Sequence, residues 1–344
     1  MRGVFFAGNF LSKTNGVRGI GEELAERFSE RGWKVITASH YMNRAIRMVD
    51  FFWTAWHQRE NYEIASVEVY SDLAFRWAEL LCAFLRYIDK PYVLTLHGGK
   101  LPEFANKNPE RFKELISRAD SVTTPSKYLL QEFEHTLPSI VYIPNGIDLA
   151  DYPLSVHRTP KPKIIWLRAF HSIYMPTLAI EVLQKVLKYY TDAHLTMIGP
   201  DKHDGTYCNT LKKMRDYSLQ DNVLLIGAIN KKDVSEYLSK GDIFLNTTIY
   251  ESFGVSVVEA AACGLCIVTT NVGELPFMWE DGVDALLVPP NDPDAMANAV
   301  MRILKEPGLA EKLSTNARIK AEKFDWAEVL PHWEVLFEEI IHHA

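Results

Sequence analysis

The sequence predicts an α/β protein of two doubly wound domains facing each other across a cleft. Short β-branched and aromatic runs alternate with amphipathic stretches along all 344 residues. That βαβα rhythm implies parallel sheets with right-handed crossovers. Most of the runs are continuously apolar, as strands covered on both faces are. Midway, residues 143–162 (IPNGIDLADYPLSVHRTPKP) break the rhythm with four prolines and no periodicity, as an interdomain linker does.

In chain order, the first half should supply strands at 3–7, 34–39, 64–70, 92–96, 121–124 and 141–143, with helical patterns at 20–31 and 71–87. The second should supply strands at 163–167, 194–198, 223–226, 243–246, 266–269 and 285–288, with helical patterns at 177–190 and 295–305. The division is expected near residue 157. In open parallel sheets ligands bind beyond the carboxyl ends of the strands, so the chemistry is expected there.

Composition narrows the classes. The chain is 47% hydrophobic and 24% charged, a soluble globular balance. Its nearest approach to a membrane span, residues 253–270, carries Glu259 and consists mostly of small residues. The N-terminus has too short an apolar run for a secretion signal, so a cytoplasmic location is expected. Residues 1–157 carry 18 basic and 19 acidic side chains, and the remainder 19 and 25. Neither half is basic, which disfavours nucleic acid as a partner. Four cysteines are too few for a disulfide scaffold.

Five segments carry candidate chemistry. Glycines 16, 19 and 21 follow the first strand and open a helix, where amides can meet an anion. Their GxxGxG spacing is not the dinucleotide GxGxxG, and a tight turn without a ligand explains them as well. His97 directly follows an apolar strand and precedes Gly98-Gly99, a position suited to a ligand-facing imidazole. Lys202, in the turn after the strand at 194–198, suits an anion, and a solvated loop suits it equally. The strongest signal runs from Asn246 to Ala262. There a strand leads into a small-residue helix near Gly254, so the amides of Ser252, Phe253 and Gly254 form an anion cradle. Glu251 stands just before that helix and Glu259 within it, and carboxylates suit the vicinal hydroxyls of a sugar or ribose. Arg44, Arg47, Phe51, Phe52, Trp53 and Trp56 make a basic-aromatic amphipathic stretch that fits either a membrane surface or a core-facing helix.

Two motifs read as structural. Cys263-Gly-Leu-Cys266 ends a helix rather than beginning one and lacks the second pair a zinc site needs. Asp292-Pro-Asp294 precedes a helix and reads as an N-cap rather than a metal motif.

The pattern Glu251-x7-Glu259 with its internal Phe-Gly resembles the retaining glycosyltransferase family 4. Further matches are Ile143-Pro-Asn-Gly-Ile-Asp148, Val272-Gly-Glu-Leu-Pro276 and Gly282-x2-Asp284-Ala-Leu-Leu-Val-Pro-Pro290, in an order that spans nearly the whole chain. The resemblance implies the GT-B fold of two Rossmann-like domains. An acceptor-side domain would span 1–157, completed by a crossover helix at 326–344, and a nucleotide-sugar domain would span 158–325. It implies that Glu251 lies at the donor sugar and Glu259 at the ribose. Phe253 and Gly254 would hold the diphosphate, His97 would line the sugar pocket, and the turn at Gly16 would close under the phosphates. Arg168, at the end of the second domain's first strand, would neutralise the diphosphate.

The lysine the family commonly has about five positions after that arginine is missing. Lys202 or His171 is the available substitute. Cys266 replaces the usual proline after the Cys-Gly turn.

The expected activity is transfer of a sugar from a nucleotide diphosphate to a hydroxyl, with retention and without an obligatory metal or other cofactor. The acceptor would be a glycan, a lipid-linked molecule or a small molecule, with peripheral contact at the inner membrane face compatible with it. The alternatives are a nucleotide-sugar epimerase or hydrolase of the same fold, and a non-catalytic binder of nucleotide sugars or glycans.

Overall fold

The apolar runs become strands because each buries both faces. In β1 (Gly3–Ala7), Phe5 and Ala7 join one hydrophobic cluster while Val4 and Phe6 join another on the opposite face. A two-sided strand cannot show polar alternation. The computed structural model of the protein describes residues 2–8, 10, 19–137, 139–155 and 159–343. The chain divides into two units, Met1–Gly146 with Trp326–Ala344, and Ile147–Asp325.

The first unit contains β1, β2 (Lys34–Ala38), β3 (Ile64–Val69), β4 (Tyr92–Leu96), β5 (Ser121–Thr124) and β6 (Val141–Tyr142). All pairings are parallel, in the order β2-β1-β3-β4-β5-β6. Its helices are α1 (Ile20–Glu30), α2 (Arg44–His57), α3 (Leu73–Tyr87), α4 (Leu101–Lys107), α5 (Pro109–Ile116) and α6 (Lys127–Phe133).

The second unit repeats the plan. Its strands are β7 (Lys163–Leu167), β8 (His194–Ile198), β9 (Val223–Gly227), β10 (Ile243–Asn246), β11 (Cys266–Thr270) and β12 (Leu286–Val288), in the order β12-β11-β10-β7-β8-β9. Its helices are α7 (Pro176–Val186), α8 (Thr206–Asp216), α9 (Val234–Leu238), α10 (Val255–Ala262), α11 (Leu275–Met278), α12 (Pro293–Lys305) and α13 (Leu309–Glu322). Ile164 and Trp166 face one core while Ile165 faces the other. Among the described residues, no helix is long and apolar enough to cross a membrane.

The division falls at Gly146–Ile147, earlier than the prolines suggested. Residues 147–155 are stitched to the second unit by their backbone. Ile147 N donates to Phe324 O (2.8 Å), Ser155 N donates to Cys263 O (3.0 Å), and Arg318 donates to Tyr152 O (3.0 Å). Aperiodic sequence marked a linker, but hydrogen bonding decides which unit owns it.

The last helix, α14 (Trp326–His343), belongs to the first unit. Trp326, Val329, Leu330, Trp333 and Phe337 pack on the face of the sheet formed by Val4 and Phe6. Phe337 is fully buried, with ring centroids 5.2 Å from Phe28 and 5.6 Å from Trp333. Phe337→Ala should therefore cost about 3–5 kcal/mol in chemical denaturation. A loss below about 1 kcal/mol would show that α14 does not complete this core.

Candidate functional site

A doubly wound sheet leaves a crevice where its strand order reverses, at the carboxyl ends of the two strands flanking the reversal. In the second unit the reversal lies between β7 and β10. Arg168 directly follows β7, and Asn246 ends β10.

These ends converge. The Arg168 guanidinium forms a salt bridge with Glu251, and its Nε donates to Asn246 Oδ1 (3.3 Å). It also lies over the Tyr174 ring, 5.2 Å from the centroid. Glu251 is 8% exposed. Its other carboxylate oxygen accepts from Phe253 N (3.4 Å), which ties the pair to the start of α10. Burial raises the Tyr174 phenol above its ordinary pKa, so the ring stays neutral beneath the cation.

Two glycines permit this arrangement. A Cβ at Gly199 would strike the Arg168 carbonyl, and one at Gly273 would strike the Glu251 carbonyl. Glu274 N donates to that same Glu251 carbonyl (3.0 Å), clamping the backbone. Thr270 Oγ1 donates to Thr248 O (2.6 Å), and Trp166 Nε1 donates to Thr247 Oγ1 (2.8 Å), fixing the loop after β10 from below.

Gly254 caps α10 in a left-handed conformation (φ 92°, ψ 48°) with no side-chain cap. Val257 N donates to the Gly254 carbonyl (2.9 Å), while the amides of Val255 and Ser256 precede the first acceptor the helix itself can offer. The Ser256 hydroxyl beside them is buried without a hydrogen-bond partner among the described residues. Around Ser252, Phe253 and Gly254, where the anion cradle is expected, the Phe253 amide is engaged by Glu251. Ser252 itself is half-buried.

Glu259 has a different environment. Only 3% exposed, it pairs with Lys231 and accepts from the Tyr152 hydroxyl (2.9 Å). A ribose there would share or displace these partners. Sequence reasoning missed both. Lys231 follows β9, where the strand-end rule could have found it, whereas Tyr152 lies 107 residues away with no local signal. Lys202 is exposed. His171 caps a short helix by accepting from Ile173 N (3.2 Å) and lies 3.8 Å from Asp204.

His97 lies in the first unit, at the end of β4, with its amide donating to Val69 O (2.9 Å). Its ring stacks on Tyr70 (centroids 5.2 Å, 19°), and the Tyr70 hydroxyl reaches Glu68 (3.4 Å). Glu68 occupies the first unit's own reversal point, between β1 and β3. A Cβ at Gly8 would lie 2.8 Å from its carboxylate. Glu68, His97, Gly8 and Gly21 line one recess. Gly16 lies outside the described residues.

The two structural motifs behave as expected. Asp292 caps α12 by accepting from Ala295 N (2.8 Å), and Asp294 pairs with Lys185 (2.6 Å). Cys263 and Cys266 are buried, with thiol pKa values pushed up to about 12 by burial. The basic-aromatic stretch is divided: Phe51 is buried, Phe52 and Arg47 half-buried, Trp53 and Trp56 exposed.

Residues 155–320 match the family described as glycosyl transferases group 1, and residues 43–151 match glycosyltransferase family 4. The chain belongs to the group 1 glycosyltransferases. Solved structures share the fold. Sucrose-phosphate synthase from Thermosynechococcus elongatus superposes with a TM-score of 0.81 over 100% of both chains, at 18% identity. HepE of Anabaena, in complex with UDP and glucose, gives 0.78 over 98% of this chain and 100% of its own, at 15% identity. Both show the GT-B fold.

Among relatives by sequence, a phosphatidylinositol N-acetylglucosaminyltransferase component from Arabidopsis thaliana is 30% identical over 207 residues, 59% of this chain. The chain spans only 44% of the length of that relative. N-acetyl-alpha-D-glucosaminyl L-malate synthase of Bacillus anthracis is 28% identical over 307 residues, covering 83% of this chain and 76% of the synthase.

Burial lowers the His97 pKa from 6.5 to about 4, so the ring is neutral at physiological pH. The unfolded chain binds this proton from about pH 6.5, the folded chain only near 4. The His97 contribution to stability is therefore complete above pH 6.5 and is lost as pH falls toward 4. Ring-proton NMR should give a midpoint near 4, and a midpoint above 6 would contradict this environment.

Proposed function

We propose that the protein transfers a sugar from a nucleotide diphosphate to an acceptor hydroxyl, with retention at the anomeric carbon and no obligatory metal. The observation that carries the reading is the Arg168–Glu251 pair beside the start of α10, with side chains 12% and 9% exposed. A fixed guanidinium and the amides that open α10 suit a diphosphate whose negative charge grows as the bond to the sugar breaks. Glu251, engaged by Arg168, would meet the sugar hydroxyls once the diphosphate drew the guanidinium to itself.

The anomeric C–O bond breaks with its electron pair going to the β-phosphate oxygen. The acceptor hydroxyl attacks the same face, and its proton passes to that departing oxygen. Arg168 and the α10 amides supply the neutralisation that a metal would otherwise give. Glu259 would hold the ribose in exchange for a present partner, and Lys231 or Lys202 would stand for the missing lysine. His97 and Gly16 are the first unit's candidates for sugar and phosphate contacts.

The acceptor side falls to the first unit, and a glycan, a lipid-linked molecule or a small molecule fits the reading. The Arabidopsis relative carries a phospholipid in its name. In this reading the protein works in the cytoplasm, touching a membrane face peripherally through the exposed tryptophans of α2.

Thermal shift and slow nucleotide release with UDP-, GDP-, ADP- and CMP-linked sugars test the reading. One donor should stabilise the wild type. Arg168→Ala should weaken its binding at least about tenfold, and Glu251→Ala should cut turnover at least about 100-fold while costing less in binding. Unchanged turnover in Glu251→Ala would remove that residue from the chemistry. Product NMR showing an inverted anomeric centre would overturn retention.

A further inference from the structure

Three contacts hold the Arg168 guanidinium, and an arriving anion needs to open only one of them. Its Nη2 pairs with Glu251, its Nε donates to Asn246 Oδ1 (3.3 Å), and its central carbon lies over the Tyr174 ring, 5.2 Å from the centroid. A phosphate competes for the N–H edge that Glu251 occupies, because both are oxygen anions that accept from a guanidinium. The ring attracts the cation through its π face and takes up no N–H, so a phosphate has no reason to displace it. The Asn246 amide is fixed independently, with Nδ2 donating to Thr269 Oγ1 (3.0 Å). Asn246 and Tyr174 are therefore the two contacts that survive the exchange.

Tyr174 is itself tied to the loop that brings in Glu251. Thr247 Oγ1 donates to the Tyr174 carbonyl (2.6 Å), and Ile249 N donates to the Ile173 carbonyl (2.9 Å). Tyr174 N donates back to His171 O (2.9 Å), closing the turn on which the ring stands. These anchors are backbone atoms of residues 171, 173 and 174, so they ask for no particular side chain at 174. The side chain packs at the margin of the core that contains Trp166 and Phe170, a place any apolar residue of similar bulk could fill. A π face under a cation is a further property. Ile173, five residues after Arg168, brings no second cation.

We propose that Tyr174 is a positioning residue whose ring seats the Arg168 guanidinium, so that the cation keeps its place when the donor diphosphate takes it from Glu251. The inference rests on the donor reading and adds to it a residue that acts through Arg168 rather than on the substrate. Without the seat, one hydrogen bond to Asn246 leaves the guanidinium free to turn, and ordering it opposes binding. With the seat, the planar fork is ordered before the anion arrives.

The test compares the full chain with its Tyr174→Leu and Tyr174→Phe variants in calorimetry, using pyrophosphate, UDP, GDP and ADP. Tyr174→Leu keeps apolar bulk and removes the ring, and should weaken the tightest of these ligands about tenfold, the scale of a partly desolvated cation–π contact. Tyr174→Phe should restore affinity to within about threefold of the wild type. In the Arg168→Ala background, Tyr174→Leu should change affinity less than about twofold, because the ring then has no cation to seat. A packing role alone would lower the melting temperature and leave the affinity of the folded protein unchanged. Should Tyr174→Leu fail to fold, Tyr174→4-cyanophenylalanine keeps the ring while withdrawing its π charge, and should cost about threefold relative to Tyr174→Phe.

Equal affinity in the wild type and Tyr174→Leu, or an equal loss in both Arg168 backgrounds, would overturn the proposal and leave the donor reading standing. A loss in Tyr174→Phe as large as in Tyr174→Leu would assign the effect to the hydroxyl and overturn the seat. Binding of none of the four anions to the wild type would overturn the donor reading itself, and the role of Tyr174 with it.

Discussion

One constraint organises both units: a parallel sheet wound in two directions leaves a crevice only where its strand order reverses. In the second unit the Arg168–Glu251 pair lies at that place. The reversal between β7 and β10 brings Arg168 and Asn246 to adjacent strand ends. The loop after β10 then carries Glu251 back onto the guanidinium. The first unit repeats the solution with different groups, placing Glu68 beside Gly8 at the reversal between β1 and β3, with His97 one strand further along. The remaining architecture, from the threonine bonds under the loop to α14 sealing one core, serves to hold these strand ends still.

The Arg168–Glu251 pair is not explained by stability. Two charges withdrawn from water lose hydration that their mutual attraction repays only partly, and apolar replacements of buried pairs are often neutral or stabilising. Nearby, Asn246, Tyr174 and the Phe253 amide satisfy the two groups further, which limits that cost without removing it. A guanidinium so held needs little reorganisation when an anion arrives, which is where preorganised electrostatics is most effective. Breaking the pair leaves a buried charge alone, worth about 3–5 kcal/mol, so any activity measured on a variant must be read beside its folding.

The strands were legible because two-sided burial leaves an uninterrupted apolar run, as in Tyr92–Leu96, where every residue is buried. The small-residue helix at Val255–Ala262 was legible for the same reason, being buried at nearly every position. The domain boundary was not, because the backbone bonds of 147–155 reach residues 263, 318 and 324, and no local pattern records them. Glu259 was visible as a carboxylate on a helix, yet its partners Lys231 and Tyr152 come from distant segments. Glu68 escaped notice as one charged residue within a buried strand. The α2 stretch read as a single basic-aromatic motif, while the fold gives Phe51 to the interior and Trp53 to the outside. Periodicity marks that a helix has two faces; only packing says what each one touches.

The most direct measurement of the central claim is the amide NMR footprint of a bound nucleoside diphosphate, with UDP, GDP and ADP added in turn to the full chain. The account predicts that one of them shifts the amides of residues 252–256 and the Arg168 side-chain Nε–H, because the guanidinium must exchange its Glu251 contact through Nη2 for a phosphate. Binding that left those resonances unmoved, or no binding by any of the three, would contradict the assignment of this crevice to the donor.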